Sequence, residues 1–156
     1  MSKPIVLFIE LKIAAKSKYV CEITEKLFQN DITLSIYAEG KNAAQLDNLL
    51  WTWKQESFIP HQIYNGPSTE NSQVILSDSL DNLTPTQAVI LFDPLPIEAL
   101  TQYNLIIDFA EIYHADKKMQ SRKRFKEMRD SNNFDIHFTQ LGTILSKKSI
   151  DLNSVI

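Results

Sequence analysis

Few residues of this 156-residue chain have the types and spacings that covalent or metal chemistry needs. The single cysteine, Cys21, lies among apolar residues at helical spacing, which predicts a packed side chain and not a nucleophile. His61, His114 and His137 fall in different segments and match no known metal-binding spacing. His61 follows Pro60 at a predicted turn, which its ring is expected to fix by hydrogen bonding the backbone. We expect no catalytic residue, no metal and no cofactor.

Nucleotide binding has little support from the glycines. The chain has only three of them, and residues 10–16, which follow the first predicted strand, contain none. Neither a dinucleotide-binding fingerprint nor a phosphate-binding loop fits at that position.

Positive charge is concentrated in one predicted helix. Residues 117–129 hold seven basic side chains and one acid, a local charge of +6 in a chain of net charge −3, so the remainder carries −9. One side of this helix carries Lys118, Arg122 and Lys126 at four-residue intervals, and Phe125 lies beside them. Like charges at this spacing repel by roughly a few tenths of a kcal/mol per pair, so the helix alone gains nothing from them. An anionic peptide with an aromatic residue would use both the arginine and the apolar surface, and a solvated helix face is the alternative.

A second candidate surface is aromatic. Trp53 continues the apolar stripe of Leu46 and Leu50, which predicts that it packs in the core. Trp51 falls off that stripe by about half a turn, so we expect it to be a partly exposed anchor. Phe58 lies in a predicted polar loop, so no apolar helix stripe predicts that it is buried. Trp51 and Phe58 therefore predict either an aromatic docking patch or further parts of the core.

Strand-like and helix-like segments alternate along the chain and must position these residues. The predicted strands are 5–9, 32–37, 62–64, 73–77, 88–92, 104–108 and 134–138, and the predicted helices are 19–28, 43–50, 97–100 and 110–130. Strand–helix alternation predicts βαβ units and a parallel sheet. We expect one α/β domain over residues 1–139 and a loosely ordered tail over residues 140–156.

The composition is that of an ordinary globular protein, with 44% hydrophobic and 22% charged residues. No apolar run reaches membrane-spanning length, and the N-terminal segment lacks the features of a signal peptide. A lone cysteine excludes an internal disulfide. These features predict a cytoplasmic protein, and the negative net charge disfavours whole-surface attraction to nucleic acid.

One motif resembles a known family. Positions 46–61 contain Leu-Asp-x-x-Leu-Trp, a short polar link and then Ser-Phe-Ile-Pro-His. The order and spacing of these parts are similar to the signature of the chi subunit of bacterial DNA polymerase III holoenzyme. Residues 20–23, Val-Cys-Glu-Ile, resemble the family's first helix, and residues 121–126, Ser-Arg-Lys-Arg-Phe-Lys, resemble its basic helix. The similarity runs from about Val20 to Phe138.

The resemblance implies a three-layer α/β/α domain with a largely parallel, Rossmann-like sheet and no catalytic activity. In the family, the basic helix and an apolar pocket bind the acidic C-terminal tail of single-stranded-DNA-binding protein. The positions that match this site are Lys118, Arg122, Phe125 and Lys126. Position 125 is a tyrosine in the best-known form of the motif, so phenylalanine keeps the ring and loses its hydroxyl.

The resemblance also implies a second partner, the small psi subunit, which reaches the clamp loader. Trp51 and Phe58 match the positions that the family uses for psi. The sequence therefore predicts a non-catalytic adaptor between single-stranded-DNA-binding protein and psi. The alternatives are a Rossmann-like nucleotide-binding enzyme and direct DNA binding through the basic helix.

Overall fold

The computed structural model of the protein describes residues 3–53, 59–64 and 72–147. The strands are β1 (Ile5–Leu11), β2 (Leu34–Tyr37), β3 (Gln62–Ile63), β4 (Val74–Ser77), β5 (Ala88–Leu91), β6 (Leu105–Glu111) and β7 (Asp135–Thr139). The helices are α1 (Lys16–Gln29), α2 (Lys41–Trp51), α3 (Ile97–Leu100), α4 (Ala115–Ser131) and α5 (Leu141–Leu145).

These strands form one sheet in the order β3-β4-β2-β5-β6-β1-β7, in which all neighbours are parallel. Parallel neighbours need crossover connections, and the helices within these connections cover both faces of the sheet. The predicted α/β class, with three layers and a parallel Rossmann-like sheet, is confirmed. In the described ranges, no helix is both long and apolar enough to span a membrane.

A separate core lies on each face of the sheet. Along β1 the side chains alternate, so Leu7 and Ile9 pack under α1 and α2 while Val6 and Phe8 pack on the opposite face, under α4. Met128 anchors α4 in that second core. The two faces of β1 therefore belong to two different surfaces of the molecule.

The basic helix begins later than the sequence predicted. Residues 110–114 were expected to be helical, but β6 continues to Glu111 because Ala110 and Glu111 remain paired with Glu10 and Leu11 of β1. Helix α4 therefore starts at Ala115, and the first residues of the predicted helix lie at the end of the sheet.

The chain after β7 differs from the predicted tail over its first residues. Helix α5 forms within the segment expected to be loosely ordered, and its Ile144 is buried in the core against α1. Leu141 also packs there, because two apolar residues three positions apart share one face of a helical turn. Residues 148–156 of the predicted tail lie outside the described residues.

Candidate functional site

A cavity of about 650 Å³ lies between α4 and the edge of the sheet formed by β6, β1 and β7, and we call it the α4 groove. Three of the four positions predicted for an anionic peptide, Lys118, Arg122 and Phe125, line it. The fourth, Lys126, is exposed on α4 and does not line the groove. The opposite wall includes Phe138 of β7.

Ser121 positions Arg122 by holding α4 against β6. Its buried hydroxyl accepts a hydrogen bond from the Glu111 backbone N–H at 3.1 Å. The same hydroxyl lies 3.2 Å from the Phe109 carbonyl oxygen and 2.8 Å from the Lys117 carbonyl oxygen, and can donate to one of them. Because this contact fixes the rotation of the helix about its axis, the next residue, Arg122, is directed to the groove.

Three phenylalanine rings form the apolar base of the groove. The ring centroid of Phe125 lies 5.9 Å from that of Phe8 and 4.9 Å from that of Phe138, and the centroids of Phe8 and Phe138 are 5.7 Å apart. These separations are typical of favourable aromatic pairs. The guanidinium of Arg129 also lies 5.6 Å from the centroid of Phe125, which fixes that ring from the solvent side.

The cations of the groove are available for a ligand. Within the described residues, no acidic group lies within salt-bridge distance of the side chains of Lys118 or Arg122. Glu10 is the one acid among the described residues that line the groove, and it pairs with Lys12 at 3.6 Å. A cationic wall beside an aromatic base suits an anionic ligand that also carries an apolar group.

Arg124, two positions from Arg122, has a different environment. Its guanidinium forms two hydrogen bonds with the carboxylate of Asp108, at 3.0 and 3.1 Å, and a third with the Phe109 carbonyl at 3.2 Å. Asp108 is only 2% exposed, so this pair is a structural ion pair that ties α4 to β6. The sequence analysis did not identify the pair, although an aspartate inside an apolar strand run signals that a partner is needed.

The second candidate surface lies at the end of α2. Trp51 is 51% exposed, as predicted, and its ring centroid lies 4.2 Å from that of His61. Trp53 is half-buried and packs against the core, also as predicted, although α2 ends at Trp51 and Trp53 follows it. Phe58, the other residue predicted for this surface, lies outside the described residues.

His61 has the structural role predicted for it. Its buried ring places Nδ1 2.6 Å from the carbonyl oxygen of Ile59 and Nε2 3.1 Å from that of Asp47. The Asp47 carboxylate is also 3.3 Å from Nε2. The imidazole thus joins α2 to the segment before β3 and supports the Trp51 ring.

A polar cleft of about 470 Å³ lies at the carboxyl ends of β1, β5 and β6, the location at which Rossmann-like enzymes bind ligands. Its charged groups are engaged in ion pairs or hydrogen bonds. Lys16 lies 3.3 Å from Glu111, and Arg124 binds Asp108. Asp93 accepts hydrogen bonds from a backbone N–H at 2.7 Å and from a side-chain amide at 3.0 Å.

The remaining cation of this cleft is also engaged. The Tyr113 hydroxyl accepts a hydrogen bond from Lys117 at 3.2 Å and donates one to Glu111 at 3.1 Å. The hydrogen bond with Tyr113 raises the pKa of Lys117 above its ordinary value. Ionic groups that already satisfy one another leave the cleft little free charge for a nucleotide phosphate.

Cys21 is buried in the core, as predicted. Burial raises the pKa of its thiol to about 12, so the thiolate needed for nucleophilic chemistry is scarce at neutral pH.

Comparison with known families gives a match to the model of the DNA polymerase III chi subunit, HolC, over residues 3–134. The chain belongs to the DNA polymerase III chi subunit family. Comparison with curated proteins gives no match. Chi-family membership places the chain in DNA replication, among accessory subunits of the polymerase and not among its catalytic subunits.

The matched range contains the positions that the family resemblance assigned. Six positions, Trp51, Phe58, Lys118, Arg122, Phe125 and Lys126, all lie within residues 3–134 of this chi-family chain. The outer wall of the α4 groove does not, because β7 begins at Asp135. The sequence analysis did not single out Phe138, although its alternation with Phe134 and Ile136 in the last strand indicated that all three share one face.

Proposed function

We propose that this chi-family chain is a non-catalytic adaptor that links the acidic C-terminal tail of single-stranded-DNA-binding protein to the psi subunit, and through psi to the clamp loader. It would do so in the bacterial cytoplasm. The observation that carries the proposal is the α4 groove, which combines an aromatic base with two cations that have no acidic partner among the described residues. An acidic tail with an apolar residue has the chemistry that fits it.

Each part of the groove has a role in this proposal. The Arg122 guanidinium binds a carboxylate of the tail, and Lys118 adds a second positive charge one turn earlier. Lys126 attracts the acidic segment from outside the groove. Phe125 supplies apolar surface for the apolar residue of the tail. The groove needs no movement of α4 for this, because Ser121 already holds the helix on the sheet.

The second half of the proposal assigns psi to Trp51 and Phe58. Trp51 is a large, exposed, amphipathic ring at the end of a helix, the kind of residue that anchors protein interfaces. It lies on the α2 side of the sheet, near the β3 edge, whereas the α4 groove lies on the other face near the β7 edge. Two partners on opposite faces and edges could bind at the same time.

The test is titration of a labelled tail peptide of the cognate single-stranded-DNA-binding protein. We expect Arg122→Ala to weaken binding by about 1.5–3 kcal/mol, the scale of a hydrogen bond to a charged group. Lys123→Ala is the matched control, because Lys123 is an exposed cation on the same helix that does not line the groove. Absence of binding by the folded wild-type protein would contradict the assignment of this face.

One variant on each face should separate the two sites. Phe58→Ala is expected to weaken psi binding and leave tail binding intact, and Arg122→Ala is expected to do the converse. Psi binding is measured by co-purification and calorimetry with each variant. Loss of both interactions in either variant while it remains folded would contradict two independent sites.

Direct DNA binding through α4 predicts a different result. Affinity for single-stranded DNA would then fall steeply with salt, in proportion to the phosphates neutralised. It would not depend on the acidic tail of single-stranded-DNA-binding protein. The adaptor proposal predicts weak DNA binding by the chain alone.

A nucleotide-binding enzyme is a second candidate, because the polar cleft lies at the position that such an enzyme would use. The paired ionic groups of the cleft and the absence of glycine in residues 10–16 argue against it. Thermal-shift titration with nucleotides distinguishes the two candidates. Saturable stabilisation that Lys117→Ala removes would favour the enzyme.

A further inference from the structure

The buried imidazole of His61 is surrounded by oxygen atoms. Its Nδ1 lies 2.6 Å from the backbone carbonyl oxygen of Ile59, and its Nε2 lies 3.1 Å from that of Asp47. The Asp47 carboxylate is also 3.3 Å from Nε2. Among the described residues, no hydrogen-bond donor contacts either nitrogen. Three acceptor oxygens therefore face a ring that carries only one N–H when it is neutral.

These contacts suit the doubly protonated ring. In a neutral imidazole, one nitrogen bears a lone pair, and in either tautomer that lone pair would face a carbonyl oxygen. The imidazolium has an N–H on both nitrogens, so it can donate to Ile59 on one side and to Asp47 on the other. Burial opposes the positive charge, but a buried charge is tolerated where it is paired and hydrogen-bonded.

The other neighbours of the ring do not oppose its charge. The Trp51 ring centroid lies 4.2 Å from that of His61, within the range over which an indole attracts a cation. In the described part of the chain, Asp47 is the only charged side chain within salt-bridge distance of the imidazole. Asp47 and Trp51 are four positions apart in α2 and share one side of that helix. The position of the exposed indole thus depends on the contacts that His61 makes.

We propose that His61 is a pH-sensitive positioning residue of the Trp51 surface. With two ring protons, it ties the segment before β3 to α2 and holds the indole for a partner. Release of one proton to solvent breaks one of these contacts and loosens the surface. Because the contacts favour the protonated ring, they are complete at low pH and are lost as the pH rises through the range in which histidines titrate, about 5 to 8. This inference rests on the proposed binding of psi to this surface and adds the condition under which that binding is tight.

Calorimetric titration of the full chain with the cognate psi subunit, at about pH 6 and about pH 8, tests the inference. Wild type should bind psi about three- to tenfold more weakly at the higher pH, the scale of one lost hydrogen bond. His61→Gln carries an amide that does not titrate, so its affinity should be lower at the acidic pH and should lose this pH dependence. His114→Ala is the matched control, because it removes an exposed histidine and should keep the wild-type pH dependence.

Nuclear magnetic resonance reports on the ring and the surface without psi. The nitrogen-15 shifts of the His61 ring should show two protonated nitrogens at about pH 6 and one at about pH 8. The indole N–H signal of Trp51 should shift over the same pH interval. Asp47→Asn should move both changes to lower pH, because it removes the negative charge beside the ring. Thermal melts report whether His61→Gln is folded, and if it is not, Asp47→Asn decides.

The outcomes separate this inference from the proposed function. If psi binds folded wild type at neither pH, the psi half of the proposed function fails, while matching shifts of His61 and Trp51 would still support the inference. A His61 ring nitrogen that stays unprotonated at about pH 6 would overturn the inference alone. So would a folded His61→Gln variant that binds psi with the wild-type pH dependence.

Discussion

The α4 groove and the Trp51 surface both expose aromatic side chains, but they are built differently. In the groove, three rings lie beneath cations that have no acidic partner within the described residues. At the Trp51 surface, one exposed ring rests on a buried imidazole whose two nitrogens lie within hydrogen-bond distance of backbone carbonyl oxygens. The first arrangement suits a charged, flexible ligand, and the second suits a folded partner with a complementary apolar surface.

Two arginines within α4 show a similar contrast. Arg122 and Arg124 are two positions apart and so point in different directions from the helix. Arg124 neutralises a buried aspartate, whereas Arg122 faces the groove. A basic helix thus divides its charge between holding the fold and binding a ligand, and substitution separates the two uses.

The largest expected effect is at Arg124. Arg124→Met leaves the Asp108 carboxylate buried without a partner, so we expect the free energy of unfolding to fall by about 3–5 kcal/mol. Urea denaturation of this variant and of Arg122→Ala measures the difference. A second change, Asp108→Asn, should recover part of the loss. Equal stability of Arg122→Ala and Arg124→Met would remove the distinction between the two arginines.

A smaller effect is expected beneath the Trp51 surface. His61→Ala removes the ring that contacts the carbonyls of Ile59 and Asp47, so the protein should lose about 1–3 kcal/mol of stability. The fluorescence of Trp51 should change because its stacking partner is gone, while tail-peptide affinity stays at the wild-type level. His114→Ala, at an exposed position, is the control. A loss of tail binding in folded His61→Ala would mean that the two surfaces are coupled.

The smallest effect is expected at Lys126. This side chain is exposed and does not line the groove, so Lys126→Ala should weaken tail binding by at most about 1 kcal/mol, and the loss should disappear at high salt. Peptide titrations at two salt concentrations test this, with Arg122→Ala alongside. If Lys126→Ala were as damaging as Arg122→Ala, the peptide would lie along the outside of α4 and not in the groove.

Much of the fold and part of the site followed from local patterns. Continuous apolar runs such as Ile5–Ile9 predicted strands covered on both faces. Trp53 was predicted to pack because it continues the apolar stripe of α2, and Trp51 was predicted to be exposed because it lies about half a turn away from that stripe. The start of α4 could not be predicted, because β6 is extended by pairing with β1, a long-range interaction. Helix α5 was not predicted, because five residues are too few to show the helical spacing of apolar positions.

The sequence by itself determined the alternation of strands and helices, the concentration of charge on one helix and the motif that marks the chi family, since each depends on residues close together in the chain. Only the tertiary structure decided which cations of α4 lack an acidic partner in the described part of the chain. The sequence placed Arg122 on a stripe with Lys118 and Lys126 but did not show what Arg124 contacts, and the position of Asp108 on the adjacent strand decides that Arg124 forms an ion pair. Likewise, the wall opposite α4 comes from β7, and Phe138 joins Phe8 and Phe125 through sheet register that no local pattern encodes.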